Sequence, residues 1–293
     1  MIVANLKGGL GNQLFQYACS KNLALKLSQE LNFFRDKPFF SSSRKIMIGE
    51  IFNLKIKYTS FINLSIILRF PAISFLRNLL ANNKLFFLRP SSYIAEPSFT
   101  FWPGLFNLNN QNFYLHGYWQ SYKYFEGNLN TLSQDLSFND KFLYENSDNF
   151  YFKKILKVNS VSIHLRRGDF LTNPRAKKLH GVCSMAYYKK SINFIMQKVK
   201  NPHFFIFSDD IEWARSNFNF IESPFTFIEK NSDVVDFWLM SLCKHNVLAN
   251  STFSWWAGWL NKNNSKFVIA PKKWFLNSTI STRDLIPKSW YRF

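Results

Sequence analysis

The sequence predicts an α/β protein with a parallel sheet in its second half, and three observations carry that expectation. From Asn159 onward, short apolar runs alternate with stretches of helical period, and strand followed by helix, repeated, is the signature of a parallel sheet. Polar and charged residues gather directly after the apolar runs, where an open parallel sheet holds its ligands. The chain also begins in the same order, with an apolar run, a glycine loop and a helical pattern. At 293 residues it is long enough for two domains with separate cores, expected at 1–155 and 156–293.

In chain order, Ile2 to Leu6 reads as a strand, Lys7 to Asn12 as a turn, and the following stretch through Leu27 as a helix. Residues 32–150 are rich in Phe, Asn and Ser and give little periodicity; Asn107 to Asn112 reads as a loop. Within them, Phe61 to Leu80 is the most apolar tract, but Arg69, Pro71 and Arg77 interrupt it and argue against a bilayer span. A buried helix pair is the first expectation there, and a helix pair lying on a membrane surface the second. Later strands are expected at 161–165, 204–207, 225–228, 246–249 and 267–270, with helices near 184–200, 209–218, 233–245 and 253–262.

Hydrophobic residues make up 47% of the chain, which supports a packed core and argues against disorder. Lys and Arg number 37 against 18 Asp and Glu, so the expected partner is anionic: a nucleic acid, a phosphate-bearing substrate or a lipid surface. Cys19, Cys183 and Cys243 are far apart and form no C-x-x-C pair, which argues against a disulfide framework and for a reducing compartment. The first residues lack a basic stretch followed by an apolar one, so no signal peptide is expected. Asp-x-Asp, His-Glu-x-x-His and Gly-x-Ser-x-Gly are absent, so no metal site is expected and a hydrolase reading loses support.

Five constellations carry chemistry. In His164-Leu165-Arg166-Arg167-Gly168-Asp169, strand alternation puts Val161, Ile163 and Leu165 on one face and Ser162, His164 and Arg166 on the other, at the strand's carboxyl end. The segment reads as a self-satisfied charged turn or as a ligand clamp. Ser251-Thr252-Phe253-Ser254, after Asn250, reads as a helix cap or as a phosphate cradle of exposed amides and hydroxyls, which a guanidinium from Arg166 can complete. Asp236, in an otherwise apolar helical stretch, reads as a polar edge or as an acceptor for the donors of a guanine base. Gly8-Gly9-Leu10-Gly11-Asn12 allows close backbone approach but is neither a P-loop nor a full dinucleotide fingerprint. The aromatic run Tyr114 to Tyr122 suits either a core strand or a sugar-stacking surface.

Taken together, GGLGNQLFQYA at 8–18, LHGYWQSYKYF at 115–125, VSIHLRRGDF at 161–170, FIFSDDIEWA at 205–214 and DFWLMSLCKHNVLANSTFSWWAGWL at 236–260 resemble glycosyltransferase family 11, the bacterial α-1,2-fucosyltransferases. The resemblance runs in the family's order over nearly the whole chain and is thin between about 32 and 110. It implies a GT-B-like pair of Rossmann-type domains facing across a cleft, an N-terminal acceptor side and a C-terminal GDP-β-L-fucose side. It implies His164 at the nucleoside, Arg166 at the β-phosphate, Asp236 at guanine, Ser251, Thr252, Phe253 and Ser254 at the pyrophosphate, and Asn12 facing phosphate or fucose. Asp169 is the nearest motif carboxylate for a general base, with loop support through Arg167 as its other reading. The implied activity is metal-independent, inverting transfer of fucose to O2 of a galactose in a surface glycan such as O-antigen. Transfer from another nucleotide sugar, or binding of glycan or nucleic acid, are the alternatives. Apart from the resemblance, the surplus positive charge is assigned to an anionic membrane surface or a lipid-linked acceptor, and the expected setting is cytoplasmic with peripheral contact at the inner face of the membrane.

Overall fold

The computed structural model describes residues 1–35, 45–109 and 112–293, so part of the Asn107 to Asn112 loop lies outside the described residues. The chain forms two compact units, residues 1–138 with 281–285 and residues 139–280 with 286–293. The boundary therefore falls ahead of the helices Asp140–Glu145 and Phe150–Lys157, which the sequence reading grouped with the first half. Their membership follows from packing, since the rings of Phe142 and Phe152 lie 5.8 and 4.9 Å from Trp238.

In the first unit, β1 (Ile2–Asn5), β2 (Leu31–Phe34), β3 (Tyr93–Ala95) and β4 (Phe113–His116) form a parallel sheet in the order β2-β1-β4-β3. The helix Leu10–Leu27 follows β1, and two of its buried glutamines lock the adjoining loops. Gln13 donates to the carbonyls of Gly8 and Lys45, while Gln16 accepts from the Lys7 amide and donates to the Gly117 carbonyl. The tract 61–80 does form two helices, Phe61–Leu68 and Ser74–Ala81, but not a buried pair. Leu64 and Leu68 face the core, whereas Ile62, Ile66 and Phe75 are each at least 70% exposed. Among the described residues, no helix is long and apolar enough to cross a membrane.

The second unit holds β5 (Asn159–Leu165), β6 (Pro202–Ser208), β7 (Phe225–Phe227), β8 (His245–Val247), β9 (Val268–Ala270) and β10 (Tyr291–Arg292), all parallel, in the order β10-β9-β8-β5-β6-β7. The expected strands and helices of this half are present with shifted ends: the helix expected at 233–245 stops at Leu242 because β8 starts at His245. Both faces of β5 are buried, as parallel sheets require. Val161, Ile163 and Leu165 pack into a cluster with Ile192, Ile195 and Phe204, and Ser160, Ser162 and His164 line the opposite face. The strand sequence runs outward from β5 through β6 to β7, then restarts beside β5 with β8. The carboxyl ends of β5 and β8 thus flank a topological switch point, the place where an open parallel sheet forms a ligand crevice.

Candidate functional site

The segment after β5 and the segment after β8 meet this switch point. On the polar face of β5, Ser160 accepts the Lys244 amide and Ser162 accepts the Asn246 side-chain amide, so these hydroxyls are satisfied inside the unit. His164, next in that row, is only 5% exposed, and its Nδ1 has no hydrogen-bond partner among the described residues. Burial, reinforced by the nearby Arg166 charge, pulls the imidazole down to about 3, so it is neutral at physiological pH. An unsatisfied buried polar atom costs about 1–3 kcal/mol, a cost that hydrogen bonding to a ligand offsets.

Arg166 carries two carboxylates: its Nη2 donates to Asp169 Oδ1 at 2.6 Å and its Nη1 to Asp209 Oδ2 at 3.0 Å. Five N–H donors on a planar fork leave further donors for an anion, held at a defined angle by the two acids. Arg167 turns elsewhere. Its guanidinium lies 3.7 Å over the Trp213 ring and bonds Asp210 at 3.0 Å, while its backbone amide donates to Asp209 at 2.8 Å. The charges are therefore paired, within the segment by Arg166 and Asp169 and otherwise with Asp209 and Asp210 after β6, so the turn satisfies itself only in part, and Asp169 holds Arg166 rather than Arg167. Asp209, directly after β6, gains its role only from the adjacency of β6 to β5, which brings its carboxylate to Arg166. A Cβ on Gly168 would lie 2.9 Å from Asp209 Oδ2, so the absence of a side chain there makes room for the acid.

After β8, Asn250 is buried and ties loops together, donating to the carbonyls of His180, Gly181 and Trp274. Ser251 caps the helix Thr252–Leu260 by accepting the Phe253 amide at 3.4 Å, as the cap reading expects. Ser254 is buried and donates back to the Ser251 carbonyl, so its hydroxyl stabilises the turn; Ser251, Thr252 and Phe253 are half-buried. The Phe253 ring bridges two walls, 5.7 Å from His164 and 5.3 Å from Phe237. Phe237 adjoins Asp236 in the helix Asp233–Leu242, where burial first, and then the Asp233 charge, push the Asp236 carboxyl up to about 7 against an Asn231 hydrogen bond of 3.0 Å. His164, Arg166, Asp169, Asp236 and Ser251 to Ser254 are thus all carried by one unit.

The chain belongs to glycosyl transferase family 11. The family pattern matches residues 1–292. Among family 11 relatives, the Escherichia coli O-antigen biosynthesis glycosyltransferase WbnK is 33% identical over 97% of this chain and 98% of its own. An Escherichia coli alpha-1,2-colitosyltransferase is 32% identical over 100% and 98%. The Bradyrhizobium NodZ alpha-1,6-fucosyltransferase, in a crystal soaked with GDP-fucose, superposes with a TM-score of 0.53 at 11% identity over 87% of this chain and 91% of that one, which shows the GT-B-like fold.

In the first unit of this family 11 enzyme, Asn12 sits at the equivalent switch point, between β1 and β4, and accepts the Gln120 side-chain amide at 2.9 Å. Gly8 has φ +83°, which favours glycine, and a Cβ there would approach Asn12 Nδ2 to 2.7 Å and displace its amide. Tyr118 is 39% exposed with Lys7 Nζ 4.9 Å over its ring, whereas Tyr114 is a core residue of β4, so the aromatic run divides between the two readings. Glu96 fixes the bend after β4 by accepting the Tyr118 and Trp119 amides at 2.8 and 2.9 Å. Among the described residues, no group of three or more His, Cys, Asp and Glu side chains is arranged to hold a metal ion.

Proposed function

We propose that the chain transfers L-fucose from GDP-β-L-fucose to O2 of a terminal galactose, with inversion, during assembly of an O-antigen-type glycan. The observation that carries the nucleotide part is the neutral His164 with its unpartnered Nδ1, buried beside Arg166 at the β5/β8 switch point. The Asp236 carboxylate accepts the two donors of a guanine edge, and Arg166 with the amides around Ser251 and Thr252 meets the diphosphate, without a metal ion. The acceptor O2 attacks the anomeric carbon opposite the leaving group, the C1–O bond breaks, its electron pair goes to the β-phosphate oxygen through an oxocarbenium-like transition state, and the hydroxyl proton is released to solvent as the new bond forms. Asn12 and Tyr118 belong to the acceptor side, where a ring face suits a sugar's C–H face. The O-antigen setting rests on the name of WbnK.

The 32%-identical colitosyltransferase supports a second reading, in which the donor sugar lacks the 3-hydroxyl of fucose. NMR of products formed from GDP-fucose, GDP-colitose, GDP-mannose or UDP-galactose with a set of β-galactosides decides the donor and linkage together. Fucose on O2 is expected, and transfer of colitose alone would replace it.

In this reading Asp169 is a positioning residue for Arg166 rather than the general base. Asn keeps the oxygen that accepts from Nη2 and cannot take a proton at the reacting pH. Asp169→Asn is therefore expected to keep kcat within about tenfold and to retain the wild-type pH profile, with Asp169→Ala losing more. A loss of about 10³ in both, with the acidic limb of the profile gone, would assign the base to Asp169.

A further inference from the structure

We propose that the surface built by residues 61–88 docks on an anionic lipid bilayer. Nine of the twenty-two large apolar side chains that are strongly exposed among the described residues lie between Phe61 and Leu88. Ile62, Ile66, Phe75, Phe86 and Phe87 are the most open, at 67 to 71%. Isolated exposed hydrophobes are ordinary, but such a concentration marks an interaction surface. It is held on a firm base. Leu64 and Leu68 are fully buried beneath it, and the buried Arg77 donates to the Ala72 carbonyl and to the Tyr114 hydroxyl at 3.1 and 2.6 Å. Arg89 ties the next turn to the Leu80 carbonyl at 2.7 Å.

Charge selects the occupant. From Ile51 to Ala95 the chain has six Lys or Arg residues and no Asp or Glu, and Lys55, Arg69 and Lys84 are exposed. Apolar anchors interleaved with cations match the interface of a bilayer carrying anionic headgroups. A second copy of this chain would bring the same exposed Lys55, Arg69 and Lys84 and a formal charge of +19, so self-pairing here is opposed. Among the described residues no helix is long and apolar enough to span, and the contact is peripheral.

Co-sedimentation with phosphatidylcholine vesicles, with and without phosphatidylglycerol, tests this using the whole protein. Wild type is expected to bind the anionic vesicles, less so as salt rises. Phe86→Ser with Phe87→Ser, and separately Ile62→Ser with Ile66→Ser, are each expected to weaken binding about tenfold or more. Arg69→Glu with Lys84→Glu is expected to remove the preference for phosphatidylglycerol. Thermal midpoints should stay unchanged, because the substituted side chains are exposed. Absence of vesicle binding, binding indifferent to all three double substitutions, or a concentration-dependent dimer that the serine variants dissociate would each overturn the proposal.

Discussion

Arg166→Ala is expected to lower kcat by about 10² to 10³, with little change in the thermal midpoint. The kinetic loss follows from position: charge grows on the leaving diphosphate only as the glycosidic bond breaks, and removing one preorganised donor to such charge costs that much in comparable sites. A second effect has the same sign. Asp169 and Asp209 each bond the guanidinium, so its removal leaves two carboxylates facing an incoming diphosphate without their counter-charge. Arg166→Lys should recover little, because one ammonium cannot span two carboxylates and an anion. The modest stability effect follows from exposure, since the side chain is 23% open and partly solvated ion pairs contribute about 0–1 kcal/mol each. Steady-state rates for both variants beside wild type give the answer, and near-full turnover by the alanine variant would refute the leaving-group role.

The second half was legible in sequence because each strand is a short apolar run between turn residues, and β5 and β6 need no partner to declare themselves. The switch point was not legible, since it depends on β8 returning beside β5, a pairing between distant segments. The same non-locality hid Asp209, which becomes meaningful only when β6 lies next to β5 and brings its carboxyl end to Arg166. In the first half, β3 and β4 are short and pair across intervening irregular chain. The helix Phe61–Leu68, FINLSIIL, is apolar nearly all round, so periodicity could not separate the stripe that packs from the face left open. The boundary between the compact units differs from 155/156 for a related reason: Phe142 and Phe152 look alike on paper whichever core they join, and Trp238 decides it.

Asp236→Asn should stabilise the unliganded protein at high pH and weaken its hold on GDP, opposite effects from one substitution. Burial raises the carboxyl from its ordinary 3.8 to about 7, so between these values the folded chain keeps a proton that the unfolded chain has lost. The stability this proton contributes is fully present below pH 3.8 and is lost as pH rises through 7, where the buried group must ionise. Asparagine never ionises, so the variant's advantage over wild type should grow from near zero around pH 4 to on the order of 2–4 kcal/mol at pH 8. Guanine reverses the balance, because its N1–H and N2–H donors need the charged carboxylate that folding alone disfavours. Wild-type GDP affinity should therefore rise with pH and level off above 7. The variant, with an amide that presents its own donors to the base, should bind about tenfold to a hundredfold more weakly and show no such slope. Thermal melts and calorimetric GDP titrations across this range measure both. Equal affinity in the two proteins would remove Asp236 from the base pocket, even if the stability difference appeared, and would leave it as the polar edge of its helix.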